Sequence, residues 1–475
     1  MTLSLENVSI SSWPFHIKGI AYGQGNRLQL EVLYSEHDRT PSPTQLRSSW
    51  KARQNHRGVP LLIVVLHNKL AYLCGPTGED PTVYEELDPG QIERICLEAL
   101  EQPNRQAALR ALRDSLGALE EEGLPGLRNE GFLATHELLQ GVPTRTDWVS
   151  SATKSKSILH QRGNTFLQAL GYTVERLDNV TAILKIGELK TAVALVLNEH
   201  ESPETGSQRI PGTLSPVSYA LSRADEENLD WVMLLNGPKI RLYPVKMGVG
   251  VGRRGRTETY VECHTGLIPD DQSAYLWLLF SAEALTEGGS LDSIMADSSD
   301  YAGDLASELR ERIYDQVIPR LAEGLADARG IKKPTADDLN VTYQMAMTVL
   351  FRLLFIAYGE DKDLLPYRFN GLYQKRSLKA KAKDLLKLWN QGEGFGDGEA
   401  WWSEIKAIFH AIDKGNSSWG VPAYNGGLFS KDPYESPIGA EIERVTLPDN
   451  MFGPALQYLL LVPTNEGVHG VVDFR

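Results

Sequence analysis

The spacing of hydrophobic positions changes several times along the chain, and each change predicts a different element. The stretch 27–34, "RLQLEVLY", alternates apolar and polar side chains, as a half-buried strand does. The stretch 60–76, "PLLIVVLHNKLAYLCGP", predicts two apolar strands around an Asn-Lys turn. Over residues 89–123 the apolar residues recur at helical spacing. We therefore predict an N-terminal α/β domain over residues 1–150, with a polar, turn-rich boundary at 141–157.

A second α/β pattern follows over residues 151–270. A predicted helix that ends at Gly171 precedes two strands, "TAILKI" and "TAVALVLN", which flank the turn "GELK". A further helix, "SPVSYALSRADEEN", leads to a strand pair joined at Asn236 and Gly237, a strong hairpin signal. Helix, paired strands, helix and strand pair is the element order of a PD-(D/E)XK nuclease core.

From residue 271 to residue 475 the pattern is mainly helical. The most apolar run, 345–358, is too short to span a bilayer and contains Arg352, so it predicts a buried helix. The fold class expected from the whole pattern is an α/β N-terminal half with a degenerate nuclease-like domain, followed by a mainly α-helical connector domain.

Composition narrows the class of protein. The chain has 475 residues, a formal net charge of −14 and three cysteines, too few for a disulfide framework. The start, "MTLSLENVSISSWPF", has neither the basic nor the apolar segment of a signal peptide. We therefore expect a cytoplasmic protein without a membrane segment, and the negative charge argues against non-specific coating of nucleic acid.

One stretch runs against this charge balance. Residues 367–387 contain a dense group of cations and a single acid, Asp384. We predict that this stretch contacts DNA phosphates through five side chains, Lys375, Arg376, Lys379, Lys381 and Lys383. The alternative is that these cations only solvate one face of a helix.

The nuclease-like pattern needs acidic groups for a metal and a lysine beside the attacking water. Asp178, Glu188 and Lys190 fit the bare pattern D-x9-E-x-K. However, the last two fall in the predicted turn "GELK", and the strand after it is apolar up to Asn198. We therefore expect a degenerate core in which these three residues are surface charges, without a metal site.

Other catalytic signatures are missing from the sequence. It has no G-x-x-x-x-G-K-[ST], no H-E-x-x-H and no G-x-S-x-G. Methyl transfer to a base needs a glycine-rich turn after a strand and a loop such as N-P-P-Y that holds the extruded base. "GFGDG" (394–398) follows a lysine-rich helical pattern, and "DPYE" (432–435) lacks the second proline. We assign no catalytic residue and expect no cofactor on this chain.

Several stretches together resemble one family. "LFRLLFIAYGEDKDLLP" (350–366) is similar to the helix before the methyltransferase domain of large Type IIG restriction–modification enzymes and of BREX and DISARM methylases. "AYNGGLF" (423–429) and the final "VVDFR" resemble the stretch that leads into their catalytic domain, and "LDWVMLLNGPKIRLY" (229–243) resembles a strand pair of their nuclease-like domain.

This resemblance implies the N-terminal part of an adenine-specific DNA methyltransferase of restriction–modification or phage defence, with its catalytic motifs beyond Arg475. The implied cofactor of the full enzyme is S-adenosylmethionine. The implied partners are double-stranded DNA, the methyltransferase domain or subunit and other defence proteins. Two alternatives stay open, an active metal-dependent endonuclease and a non-enzymatic docking subunit of a defence complex.

Overall fold

The computed structural model describes residues 4–23, 28–54, 59–77, 81–120, 124–198, 201–252, 255–362, 364–424, 426–463 and 469–472. The chain divides into two compact units, residues 1–301 and residues 302–475. The first unit contains two β-sheets with helices, and the second is built mainly of helices.

The first sheet has five strands in the order in which they occur along the chain. Three helices accompany it; the elements are β1 (His16–Tyr22), β2 (Glu31–Glu36), α1 (Pro43–Gln54), β3 (Leu61–His67), β4 (Leu70–Cys74), β5 (Val83–Leu87), α2 (Pro89–Leu100) and α3 (Arg105–Glu120). Strands β2 and β3 are parallel and joined through α1, and the other neighbours are antiparallel. Strand β3 is a run of aliphatic residues, and it is buried on both faces, by α1 on one and by α2 with α3 on the other.

The second sheet has seven strands in the order β6-β12-β11-β10-β9-β8-β7. Its elements are β6 (Leu127–Glu130), α4 (Trp148–Lys156), α5 (Gly163–Ala169), β7 (Thr173–Arg176), β8 (Thr181–Ile186), β9 (Leu189–Val196), α6 (Pro216–Glu226), β10 (Trp231–Asn236), β11 (Lys239–Pro244), β12 (Tyr260–His264) and α7 (Ala274–Phe280). Strands β9 and β10 are parallel and connected through α6, while the other neighbours are antiparallel. Helix α6 covers one face, and α5 and α7 help to cover the other.

Helix α8 (Ser290–Arg312) crosses the boundary between the units, and a π-helical turn (Ile313–Val317) follows it. The second unit continues with α9 (Ile318–Ala328), α10 (Ala336–Asp361), α11 (Gly371–Gln374), α12 (Leu378–Gln391), α13 (Ala400–Lys414), α14 (Pro437–Arg444), α15 (Asp449–Leu460), β13 (Leu461–Pro463) and β14 (His469–Val471). Its core is one cluster in which helices α9, α10, α12, α13 and α15 bury their apolar faces together.

Helix α10 is the central helix of this cluster. Thr335 and Asp338 form a reciprocal capping box at its start, which fixes where the helix begins. Within the described residues, α10 alone is long and apolar enough to cross a membrane by length and composition, and half of its most apolar stretch is buried inside the protein.

Several predicted elements are confirmed. The Asn-Lys turn joins β3 and β4, and Asn68 and Lys69 both have positive φ (46° and 64°), as a type I′ turn requires. Asn236 pairs with Lys239 across the predicted Gly237 hairpin. By contrast, the stretch 141–157, expected to be turn-rich, contains helix α4. The α/β N-terminal half and the helical C-terminal part are both present.

Candidate nucleic-acid interface

Helix α12 carries most of the cations that the sequence singled out. Ser377 caps its N-terminus, since its hydroxyl accepts the N–H of Ala380 at 3.0 Å, and Gly392 ends it with a φ of 65°. Leu378, Ala382 and Leu385 are buried in the core of the second unit. The opposite side of the helix therefore faces solvent.

Cations on the exposed side are spaced by one helical turn. Lys379, Lys383 and Lys387 are four residues apart, so they lie along one side of α12. Lys383 and Lys387 are exposed, whereas Lys379 is partly buried. Lys375 and Arg376, between α11 and α12, are exposed as well, and so is Arg368 before α11. We call the exposed cations Arg368, Lys375, Arg376, Lys383 and Lys387 the basic surface.

Aromatic side chains accompany these cations. The Arg376 guanidinium lies 5.1 Å from the centre of the Trp419 ring, a cation–π distance. The Phe369 side chain is 78% exposed, although it is large and apolar. Asn370 connects α11 to the loop that contains Trp419. Its carboxamide oxygen caps α11, and its carboxamide nitrogen donates to the Ser418 carbonyl at 3.1 Å. Trp419 is partly buried, so its ring holds the Arg376 guanidinium in place at the surface.

Two of the predicted phosphate contacts are engaged inside the protein. Lys381 is buried, forms an ion pair with Glu404 and lies over the Trp401 ring, and burial lowers its pKa. The Lys379 ammonium is 2.6 Å from the carboxylate of Asp361, which is itself buried. The spacing of Leu378 and Leu385 places Lys381 on the apolar face of α12, a signal that the prediction did not use. We therefore remove Lys379 and Lys381 from the predicted set, and we retain Lys375, Arg376 and Lys383 because their side chains are exposed.

A buried acid fixes the start of α12. The Glu360 carboxylate accepts the N–H groups of Leu378 at 2.7 Å and Lys379 at 2.9 Å. It also accepts the Tyr373 hydroxyl at 2.9 Å. Burial raises the pKa of Glu360 to about 7, against hydrogen bonds that favour the charged form. Glu360 and Asp361 thus connect the end of α10 to the start of α12. The sequence prediction named neither residue, although two adjacent acids at the end of an apolar helix indicate buried polar contacts.

The loop "AYNGGLF" is held by Arg352. Its guanidinium donates to the carbonyls of Leu428 at 2.7 Å and Ser430 at 3.2 Å, and it lies 5.2 Å from the centre of the Phe409 ring and 5.8 Å from that of Phe429. Burial lowers the pKa of Arg352 to about 10. The charge inside the apolar run 345–358 therefore has a structural role.

The same loop borders an open apolar groove of about 320 Å³, lined by Phe355, Tyr424, Gly426, Leu428 and Phe429. Asn425 and residues 473–475, which were part of the family resemblance, lie outside the described residues.

The three nuclease candidates do not come together. Asp178 lies in the turn before β8, while Glu188 lies in the turn at the other end of the β8–β9 hairpin. A six-residue strand separates the two acids by roughly 20 Å. Lys190 lies on β9, not in the turn where we placed it, and its ammonium pairs with Glu227 at 2.7 Å. Thr191 to Leu195 on β9 are buried.

Asp178 has a local structural role. Its carboxylate accepts the N–H groups of Val180 and Thr181, both at 2.8 Å, and the Tyr219 hydroxyl at 3.1 Å. Burial alone would raise its pKa, but these hydrogen bonds outweigh burial and lower it. Among the residues that the structure describes, no three His, Cys, Asp or Glu side chains are placed to hold a metal ion.

The cofactor implied by the resemblance has no matching motif here. Residues 394–398, "GFGDG", follow helix α12 and precede helix α13, so this glycine-rich segment does not leave the end of a strand. A glycine-rich turn needs that position to seat a nucleotide-like cofactor between a strand and a helix. These residues do not fit S-adenosylmethionine.

Comparisons with known proteins add no relative from which a role could be transferred. No family model, no curated protein and no solved structure matches the chain. The function must therefore be inferred from the chemistry of the described surfaces.

Proposed function

We propose that the chain is the N-terminal portion of an S-adenosylmethionine-dependent, adenine-specific DNA methyltransferase of restriction–modification or phage defence, and that it positions duplex DNA. The observation that carries this proposal is the basic surface of the second unit. Five exposed cations occur within residues 368–387, while the whole chain has a formal net charge of −14. Such a local departure from the overall charge is a reason to expect an anionic ligand.

The geometry suits a phosphate backbone better than a single small anion. Lys383 and Lys387 are one helical turn apart on α12, or about 6 Å, and Lys375 and Arg376 lie just before the same helix. Phosphates along one DNA strand are several ångströms apart, so an extended row of cations can contact several of them. The ion pair between Lys379 and Asp361 supports this surface, because it anchors the first turn of α12.

The finer fold assignment is part of the proposal. Helix α5, the antiparallel strands β7, β8 and β9, helix α6 and the parallel strand β10 have the element order of a PD-(D/E)XK core. We propose a degenerate member, because β9 presents buried apolar residues where that fold carries E-x-K. The alternative of an active endonuclease is less well supported, since Asp178 and Glu188 lie at opposite ends of a hairpin.

Binding of a short duplex to the full chain tests the proposal. The charge-reversed variant Lys383→Glu/Lys387→Glu should bind at least tenfold more weakly at low salt, because two phosphate contacts become repulsive. The matched control is Lys332→Glu/Lys333→Glu, which changes the net charge equally at exposed positions before α10. If both variants lost DNA affinity equally, net charge alone would explain the loss, and the proposal would be wrong.

A further inference from the structure

Helix α10 has an apolar seam on its solvent side. Met347, Phe351, Leu354 and Tyr358 are spaced by four, three and four residues, which places them along one line of the helix. Phe351 is 51% exposed and Tyr358 is 49% exposed, and the other two are partly buried. The opposite side of α10 is fully buried in the core of the second unit. Met347 and Leu354 also pack against that core, so Phe351 and Tyr358 supply most of the exposed apolar surface of the seam.

The seam belongs to a larger apolar patch. Leu339, Tyr343 and Leu364 are each 50–58% exposed beside it, and Phe355 leads into the groove bordered by Tyr424. Half of a large aromatic side chain is roughly 100 Å². The three aromatic and two leucine side chains that are about half exposed present roughly 400–500 Å² together, which is about half of the roughly 800 Å² per partner of a standard interface. The largest apolar patch of a typical monomer is about 300–600 Å² and is often functional, so this patch is a candidate interaction site.

We propose that the occupant of this seam is the α10 seam of a second copy of the chain, packed antiparallel. The 3–4 spacing is that of helices that pack side by side with interlocking side chains. An antiparallel pair places Met347 level with Tyr358 of the second copy, and Phe351 level with Leu354 of the second copy. Each large side chain then faces a different apolar side chain, so the seam complements itself under two-fold symmetry.

Charge selects the antiparallel arrangement over the parallel one. Asp337 lies in the exposed first turn of α10, and Lys362 follows its last turn, 5.7 Å from the Tyr358 ring. Antiparallel packing opposes the two helix dipoles and brings Asp337 of each helix to the same end as Lys362 of the other, where Lys332 and Lys333 also lie. Parallel packing would instead place Asp337 beside Asp337 of the second copy.

Sedimentation of the purified full chain over a range of micromolar concentrations tests the association. The average mass should rise from 52.7 kDa towards twice that value. Phe351→Gln/Tyr358→Gln should raise the concentration needed for half-dimerisation by about tenfold or more, because both aromatic anchors are lost. Tyr434→Gln is the matched control, since Tyr434 is 99% exposed and lies outside the seam. A single-chain mass at every concentration would overturn the proposal, and so would equal weakening in the control.

Disulfide cross-linking tests the direction in which the two helices pack. The three native cysteines should not interfere, because they are buried. Met347→Cys and Tyr358→Cys chains should form an intermolecular disulfide when mixed, and neither should do so alone. In the antiparallel pair, two copies of position 347 are separated by about 16 Å along the axis, beyond the reach of a disulfide. A disulfide in Met347→Cys alone, or none in the mixture, would overturn the antiparallel pair.

Discussion

The carboxylate of Glu360 accepts the backbone N–H of Leu378 at 2.7 Å, so the last turn of α10 fixes the first turn of α12. This contact places a buried negative charge at a helix N-terminus, where the helix dipole favours it. It also orients the helix that presents Lys383 and Lys387. The basic surface therefore depends on an acid that never reaches solvent.

The stability of Glu360→Gln relative to wild type should increase with pH. The folded-state pKa of Glu360, about 7, is above the ordinary 4.5, so the folded state holds this proton more tightly than the unfolded chain. In the wild type, the contribution of this proton to the free energy of unfolding is fully present below pH 4.5 and is lost as the pH rises towards 7. The loss amounts to about 3 kcal/mol.

Glutamine does not ionise, and its one carbonyl oxygen can accept from the amide of Leu378 or from that of Lys379, which bond to different oxygens of the carboxylate. The difference in melting temperature between Glu360→Gln and wild type should therefore become more positive from pH 5 to pH 8. Glu360→Ala is the control, and it should be less stable at both pH values because the amides lose their acceptor. A pH-independent difference for Glu360→Gln would contradict this account of the buried acid.

Arg352→Met should loosen the loop that contains Gly426 and Gly427. The variant leaves the carbonyls of Leu428 and Ser430 without their donor, at a cost of about 1–3 kcal/mol for each buried group. Hydrogen exchange in residues 426–431 should become faster, while exchange in β3 should stay unchanged. Arg444→Met, at an exposed position, is the control. Unchanged exchange in the loop would mean that other contacts hold it.

Asp178→Ala and Glu188→Ala should have different effects on stability. Asp178 accepts hydrogen bonds from two backbone amides and from Tyr219, so its loss should cost about 1–3 kcal/mol. Glu188 is exposed in a turn, so its loss should change stability by less than about 0.5 kcal/mol. If Glu188→Ala instead abolished a magnesium-dependent cleavage of DNA, the nuclease-like core would be active.

The chain alone should not bind S-adenosylmethionine. The glycine-rich segment at residues 394–398 connects two helices rather than a strand and a helix, and Gly248, Gly250 and Gly252 precede strand β12 rather than an α-helix. Titration calorimetry with the cofactor should give only heats of dilution. Saturable binding would show that another part of the chain forms a cofactor site.

The sequence predicted elements better than it predicted the environments of charges. Alternation and turn chemistry located β3, β4, β10 and β11, because period and turn residues are local properties. The prediction gave Lys381 and Lys383 the same role, yet one is buried beside Glu404 and the other is exposed. The spacing of Leu378 and Leu385 places Lys381 on the apolar face of α12, but its partner Glu404 lies on α13, and no local pattern predicts that pair.

The salt dependence of duplex binding tests the central claim most directly. For the variant Lys375→Ala/Lys383→Ala/Lys387→Ala, the slope of log K against log salt should be shallower than that of wild type by up to about 2.7, or 0.9 for each lost phosphate contact. Lys381→Met, two residues from Lys383 but buried, should keep the wild-type slope. A triple variant with the wild-type slope would show that these lysines only solvate a helix, and the proposed DNA-positioning role would be wrong.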